Sequence, residues 1–423
     1  MATDKLQILS LPVAEQAYSC HSCANCCRSF AIPLMEDDLE KIRRQKWETK
    51  LGRPVTIVFR GATYLAQEDD GSCVFLMEDN RCRIHAEHGL SEKPLACQLY
   101  PFHLTPTTEG VAMGLNFACP SVMESKGAAL PAHLDDLKRL AGKLPQLAST
   151  SRPPHLNHQR RATSAELKAL TSSTDGWLAD RGHGLRTRLD GLAWIIQSLA
   201  QARLQAVRDE RFGELLDLLF GVLPGELDLL PIEPATKRQR KMLRQSVFAR
   251  AEEVKLHQIA ARRRLPTVLS QLRRSRRFGA GRGLAPRLGD DWPATVALEA
   301  VEQVKGADDA AEAEAIDELV TRYLRCCLLG ARYWGAGYYG WPVVAGLTAL
   351  LVNVAATGWL ARLFAAGEGR FSIGLTEARQ ALARVDRHAG RAPWLGSASE
   401  RLRLRYLQQD DGLRRLLQTY AVT

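Results

Sequence analysis

Cys20, Cys23, Cys26 and Cys27 put four thiols into the eight residues CHSCANCC. Thiolates bind soft and borderline metals, and four of them around one centre satisfy a tetrahedral zinc or an iron–sulfur cluster. A CxxC pair lets one tight turn aim two sulfurs at one metal. Cys20, Cys23 and Cys26 repeat the CxxCxxC spacing of bacterial ferredoxins, in which a remote cysteine completes the set. Neighbouring side chains point in different directions, so Cys26 and Cys27 either serve different metals or need an unusual turn to share one. Cys73, Cys82, Cys97 and Cys119 bring the early thiols to eight, enough for two four-ligand sites or for one cluster with spare thiols. Spacing alone does not pair them. Free cysteine is often a buried small hydrophobe, but four in eight residues beside a histidine and an asparagine fit that poorly.

His21, His85, His88 and His103 lie close to these cysteines in the sequence and could replace a thiolate, although a lone histidine is more often a surface or satisfied residue. Cys326 and Cys327, inside the apolar stretch RYLRCCLLGARYW, read as core. No Ser/His/Asp, HExxH or Walker pattern stands out, so no general base is nominated.

The chain that must position these thiols has 423 residues, 46% hydrophobic and 25% charged, which is ordinary globular composition. Its opening, MATDKLQILSLPVAEQAYSC, has no apolar core or cleavage site of a secretory signal, which points to the cytoplasm. Disulfides are rare there, so clustered cysteines suggest metal.

Two parts are expected. Residues 1–130 form a small metal-nucleated α+β unit: AIPLMEDDLEKIRRQKW reads as a strand running into a helix with acids first and bases last. VTIVFRGATYLA and FHLTPTTEGVAMGLNF read as hairpins. Residues 131–423 form a larger all-helical region, because HLDDLKRLAGKL, AELKALTSSTDGWL, the long run from RTRLDGLAWII to GELLDLLF, and DDAAEAEAIDELVTRYLRCCLLGARYW all repeat apolar residues three and four apart. The fold class is therefore mainly α. SRPPHLNH (151–158) and LPIEPA (230–235) read as loops or linkers, and RRFGAGRGLAPRLGDDWP (276–293) as a mobile loop with little to bury. No fixed-period repeat is present.

Three further signals lie in the helical region. Residues 342–361, PVVAGLTALLVNVAATGWLA, are long enough to span a bilayer, yet Thr348, Asn353 and Thr357 interrupt them and favour a buried central helix, so no membrane span is expected. Gly335-Ala-Gly337-Tyr-Tyr-Gly340 matches GxGxxG, but it follows a helix instead of a strand and is better read as a close-packed helix break. The segment 237–287 holds sixteen Lys and Arg against Glu252 and Glu253, more positive charge than the chain's whole net of +10. It is either a solvated face or a docking surface for an acidic protein or nucleic acid. Its only aromatics, Phe248 and Phe278, give nucleic acid little to stack on.

CHSCANCC, CVFLMEDNRCRIH, KPLACQLYPF and GLNFACP together resemble the eight-cysteine CxxCxxCC family of zinc- or iron-chelating domains. The length, the cysteine unit placed first, Cys119-Pro120 and the helical remainder look most like its flagellin lysine N-methylase branch. The motif match covers about residues 20–120. His85, and Lys93 before Pro94, depart from the family's usual aromatic and Arg-Pro while leaving the sulfurs intact. The resemblance implies an iron–sulfur cluster, with zinc as the alternative, held by Cys20, Cys23, Cys26, Cys27, Cys73, Cys82, Cys97 and Cys119. It also implies methyl transfer from S-adenosylmethionine to lysines of a protein substrate, with flagellin as a candidate. No CxxxCxxC run of the radical S-adenosylmethionine type is present. The rival reading is a non-catalytic zinc or iron–sulfur adaptor.

Overall fold

The central element is the helix Val343–Gly367, in which every residue from Gly346 to Ala365 is buried. It is long and apolar enough to cross a membrane, but other helices occupy its faces: Leu375–His388, Lys237–Ala251, Leu185–Gln201 and Gly412–Thr419 all pack on it. A helix apolar all round must be covered on every side, and here protein does the covering. Its three polar interruptions sit in that core. Thr348 bonds back to Val344, whereas Asn353 takes the guanidinium of Arg250 and donates to Tyr333.

The computed structural model describes residues 8–10, 16–59, 61–144, 147, 152–229, 232–253, 264–289, 292–293 and 295–422. The protein is mainly α, with its few short strands near the N-terminus. Phe102–Pro106 and Val111–Leu115 form one antiparallel hairpin, joined by the parallel strand Ile8–Ser10. Thr56–Phe59 and Ala62–Leu65 form the other. Both coincide with the expected hairpins, since β-branched runs flank turns containing Gly110 and Gly61, whose φ of 155° and 79° suit glycine. Glu36–Arg44 is the expected dipole-matched helix, closed at its start by Asp38, which accepts from the Met35 N–H at 3.1 Å. The strand expected before it is reduced to a bridge between Pro33 and Tyr64.

Two other expectations change. The periodic run from Arg186 to Phe220 is not one helix but two, Leu185–Gln201 and Asp209–Leu229. Between them the chain turns so that Leu204 is buried and the Val207 carbonyl accepts from Arg160 at 3.0 Å. Residues 276–293 are not a free loop. Helix Arg264–Ala280 takes the first of them, and Phe278, Leu288 and Trp292 are buried, while Ala285 N–H donates to Val296 O at 2.8 Å. Gly and Pro frequency suggested nothing to bury, and three well-spaced apolar side chains supplied it. Asp290 and Asp291 lie outside the described residues. The segment after Pro153 caps the central helix: His155 and Leu156 carbonyls accept from the Val343 and Val344 N–H groups at 2.8 and 3.0 Å.

The large core cluster is shared across residue 130. Met113, Leu115, Phe117, Cys119 and Val122 belong to the same cluster as the central helix, while Ile42, Trp47, Val55, Leu65, Val74, Phe75 and Ile84 form a smaller one of their own. The strand Val111–Leu115 is thus packed into the helical body, while the small core lies under the other hairpin.

The basic segment is divided between cations paired to carboxylates and cations left on the surface. Arg240 and Arg244 pair with Glu302, Arg250 with Glu400 and Arg274 with Glu252. Arg244 and Arg250 are buried, and a buried guanidinium needs a carboxylate, which explains their positions better than an external partner does. Lys237, Arg238, Lys241, Arg273, Arg276, Arg277 and Arg282 remain exposed. In the GxGxxG loop the N–H groups of Gly335, Gly337, Tyr338 and Gly340 all bond to carbonyls of the same turn, and a Cβ on Gly337 would meet the Ala331 carbonyl at 2.3 Å. Amides already bonded this way have nothing left for phosphate.

Candidate metal centre

Left-handed backbone at Ser22 and Ala24, with φ of 53° and 59°, curls the chain between the first three cysteines before the short helix Asn25–Ser29. The curl is tied to the segment around Cys119. Asn25 Nδ2 donates to Ala118 O at 2.7 Å, His21 Nδ1 meets Ser121 Oγ at 2.8 Å, and Ser19 N–H donates to Lys126 O at 3.0 Å. The next residues are tied elsewhere: Cys73 N–H donates to Cys27 O at 2.8 Å, and Arg28 donates to Asn80 Oδ1 at 2.8 Å. A Leu76–Cys82 bridge brings Cys82 back to the turn after Cys73. Asp38 accepts from Leu95 N–H at 2.9 Å and so fixes the helix Leu95–Leu99 that carries Cys97.

These ties sort the sulfurs into two adjoining groups. Burial, then the thiols of Cys20, Cys119 and Cys26, push the Tyr18 phenol up, and Cys20 also shares a hydrogen bond with it. Burial raises Cys119 to about 11, opposed by backbone N–H groups of Val122 and Ser121 and reinforced by Cys23 and Cys26. In the second group, burial raises Cys73, with Cys97 and Cys82 adding to it. Burial also raises Cys97 to about 12, against the nearby Lys93 ammonium and with Cys82 and Cys26. Lys93 sits among Cys97, Cys82, Cys27 and Cys26, whose sulfurs outweigh its own desolvation and raise its pKa. Cys26 belongs to both neighbourhoods, its sulfur 4.0 Å from that of Cys27.

Among the described residues no group of three or more His, Cys, Asp or Glu side chains stands as a ready-made ion site. The chemistry of the donor set nevertheless fits a soft cation. Thiols crowded at low dielectric resist ionisation because each new charge lacks solvent and faces its neighbours, and a bound metal removes that penalty by supplying the opposite charge. The histidines stand apart from this. His85 and His88 are exposed on the helix Arg83–His88, His21 is engaged with Ser121, and His103 is within 3.5 Å of Asn116. Cys326 and Cys327 are fully buried in the helix Ala310–Leu329, as their apolar setting implied.

Several residues of this region were not singled out from the sequence. Tyr18 and Tyr100 flank the first sulfur group, and Lys93 enters the second. Tyr100 and Lys93 lie within the KPLACQLYPF motif and were within reach of sequence reading. Arg332, Asp386 and Arg391 come from the distant helical region, and no local pattern marks them.

Fold and site together define a cysteine-rich unit built onto a helical body. Residues 19–120 match the model of the CxxCxxCC family, described as a "Putative zinc- or iron-chelating domain". The chain is also similar to "Uncharacterized protein MJ0939" of Methanocaldococcus jannaschii, 31% identical over 85 residues. That similarity covers 20% of this chain and 29% of the relative. No solved structure gives a significant match. The residues matched to that zinc- or iron-chelating domain take in all eight early cysteines.

Proposed function

We propose that this protein carries two metal centres: Cys20, Cys23, Cys26 and Cys119 hold one, and Cys27, Cys73, Cys82 and Cys97 the other. The carrying observation is the division of the thiols into those gathered beside Tyr18 and Cys119, namely Cys20, Cys23 and Cys26, and those gathered around Lys93 and Cys73, namely Cys27, Cys82 and Cys97, the two sets meeting at Cys26 and Cys27. Cys26 and Cys27, with sulfurs 4.0 Å apart, stand where the two groups meet, and on this reading each serves its own centre. The CxxCxxC spacing favours iron–sulfur clusters over zinc. Anaerobic purification followed by iron, sulfide and zinc analysis tests this. About eight iron per chain fits two four-iron clusters, whereas stoichiometric zinc with no sulfide excludes them.

The activity proposed is methyl transfer from S-adenosylmethionine to a protein lysine in the cytoplasm, with flagellin as a candidate acceptor. Its support is the motif set of the flagellin lysine N-methylase branch. A lysine amine attacks a methyl sulfonium only after losing its proton, so the acceptor site must desolvate the ammonium or take that proton. Labelled S-adenosylmethionine incubated with the metal-loaded protein, flagellin and total lysate should label lysine; no transfer to any acceptor sinks this activity.

The second reading is a non-catalytic adaptor whose metal staples the N-terminal unit. The observation favouring it is the tight keying of that unit into the helical body through Arg332 and Asp386. It predicts no affinity for S-adenosylmethionine.

A further inference from the structure

Two helices each leave one side open to solvent, and the two open sides carry opposite charge. The helix Asp209–Leu229 packs on Ser164–Ala179 and Leu185–Gln201 and buries Phe212, Leu216 and Leu223. Its other side exposes Glu210, Glu214, Asp217 and Asp228 around Leu218 and Val222, which are 62% and 43% exposed. At about 3.6 residues per turn these positions share one side of the helix, with the exposed base Arg211 at its edge. Gly221 and Gly225 lie on the same side with nothing within 4 Å of where a Cβ would stand, so another helix has room to approach there.

The helix Arg264–Ala280 packs on Lys237–Ala251 and buries Phe278. Its outer side exposes Arg273, Arg276 and Arg277 beside Leu269 and Leu272, which are 57% and 52% exposed. Leu269, Ser270, Arg273, Arg274 and Arg277 line a groove on this helix. Arg274 is committed to Glu252, whereas the other three arginines, like the four acids of the first helix, make no ion pair among the described residues.

A single exposed leucine is ordinary, but a pair of apolar side chains set among unpaired like charges makes an amphipathic side that lacks a partner. Like charges three and four residues apart repel one another along a helix, and an opposite row laid against them relieves this. The two sides do not meet within the chain, since both are exposed. Every copy therefore carries the complement of both its open sides, at the same concentration as itself.

We propose that the open side of Arg264–Ala280 docks on the open side of Asp209–Leu229 of a second copy of this chain. Arg273, Arg276 and Arg277 then face Glu210, Glu214 and Asp217, while Leu269 and Leu272 cover Leu218 and Val222. The contact joins unlike surfaces and each copy has both, so in a two-fold pair it occurs twice.

Sedimentation velocity of the metal-loaded full-length protein, over a concentration series at low and high salt, tests this. Wild type should form a two-chain species at low salt that dissociates as salt screens the charges. Glu214→Arg with Asp217→Arg, and separately Arg273→Glu with Arg277→Glu, set like charges face to face and should each weaken association about a hundredfold. All four residues are exposed, so circular dichroism and metal content should match wild type in both substituted chains. Mixed in equal amounts, the two chains regain complementary surfaces, one contact unaltered and one with its signs exchanged, and association should return. A wild type that stays a single chain at every concentration overturns the inference. So does association that neither pair of substitutions weakens, or a mixture that fails to recover. Single-chain wild type that binds polyglutamate or phosphatidylserine vesicles, and loses them with Arg273→Glu and Arg277→Glu, would assign the basic side to an outside anion and overturn the second copy as its occupant.

Discussion

Asp386 accepts from the backbone N–H of Phe117 at 2.7 Å, so a carboxylate on the helix Leu375–His388 fixes the chain two residues before Cys119. The same carboxylate pairs with Arg332 at 3.1 Å, and Arg332 also donates to the Leu115 carbonyl. Gly114 and Gly330 allow this approach: a Cβ on Gly330 would lie 2.6 Å from the Gly114 Cα. One buried pair therefore joins the helical body to the segment that carries a proposed metal ligand.

Asp386→Asn should destabilise the protein by about 3–5 kcal/mol, because it leaves the Arg332 charge buried without its counter-charge. Urea unfolding would measure it. Metal retention against a chelator should fall with it, since Cys119 loses its anchor. Unchanged stability would show that Arg332 finds another partner.

The two-centre arrangement makes a prediction about pairs of substitutions. Cys26→Ser and Cys73→Ser should each remove about half the bound metal, and together nearly all of it. Cys20→Ser added to Cys26→Ser should remove little more than Cys26→Ser alone, because both sulfurs serve one centre. Cys326→Ala, in the apolar helix, should leave metal content unchanged. Metal analysis of the purified variants decides between this and a single cluster with spare thiols.

Glycines in the central helix are predicted to be intolerant for a stated geometric reason. A Cβ on Gly346 would lie 1.6 Å from the Tyr333 carbonyl oxygen, and one on Gly358 would lie 1.8 Å from that of Tyr420. Alanine at either should cost about 3 kcal/mol or more through displaced backbone. Gly213, in the helix Asp209–Leu229, has nothing within 4 Å of its Cβ position, so Gly213→Ala should stabilise by about 0.5–1 kcal/mol. Thermal unfolding of the three variants tests the contrast.

Stability should fall as the pH drops from about 6.5 towards 4. Burial, with Arg387 and Arg384 against Glu253, lowers His388 to about 4, and burial with two arginines lowers His103 well below its usual value. The unfolded chain takes up these protons near pH 6.5 and the folded chain resists them, so the unfolded state binds more protons across that window. His388 accounts for about 3 kcal/mol at most, fully lost once the pH falls below its folded value. His388→Gln should flatten the pH profile of urea unfolding between pH 6.5 and 4.

The fold was legible where local pattern and tertiary environment agree. Period-two runs around Gly61 and Gly110 became the two hairpins, and the acid-first, base-last order of Glu36–Arg44 became a helix. Pattern failed where a distant residue decided the outcome. Arg160 reaching the Val207 carbonyl lies at the break in the long periodic run, and burial of Leu288 and Trp292 pinned a segment whose glycines suggested mobility.

From its sequence alone the chain declared its thiols, their CxxCxxC spacing, the order of its two parts and the apolarity of its central helix, because each depends on residues near one another along the backbone. Only the tertiary structure decided which sulfurs neighbour which, that Arg244 and Arg250 of the basic segment are buried against carboxylates, and that Asp386 and Arg391 arrive beside the cysteine unit. Those outcomes rest on contacts between residues hundreds of positions apart, where burial forces each charge to find a partner and local spacing carries no record of which one it finds.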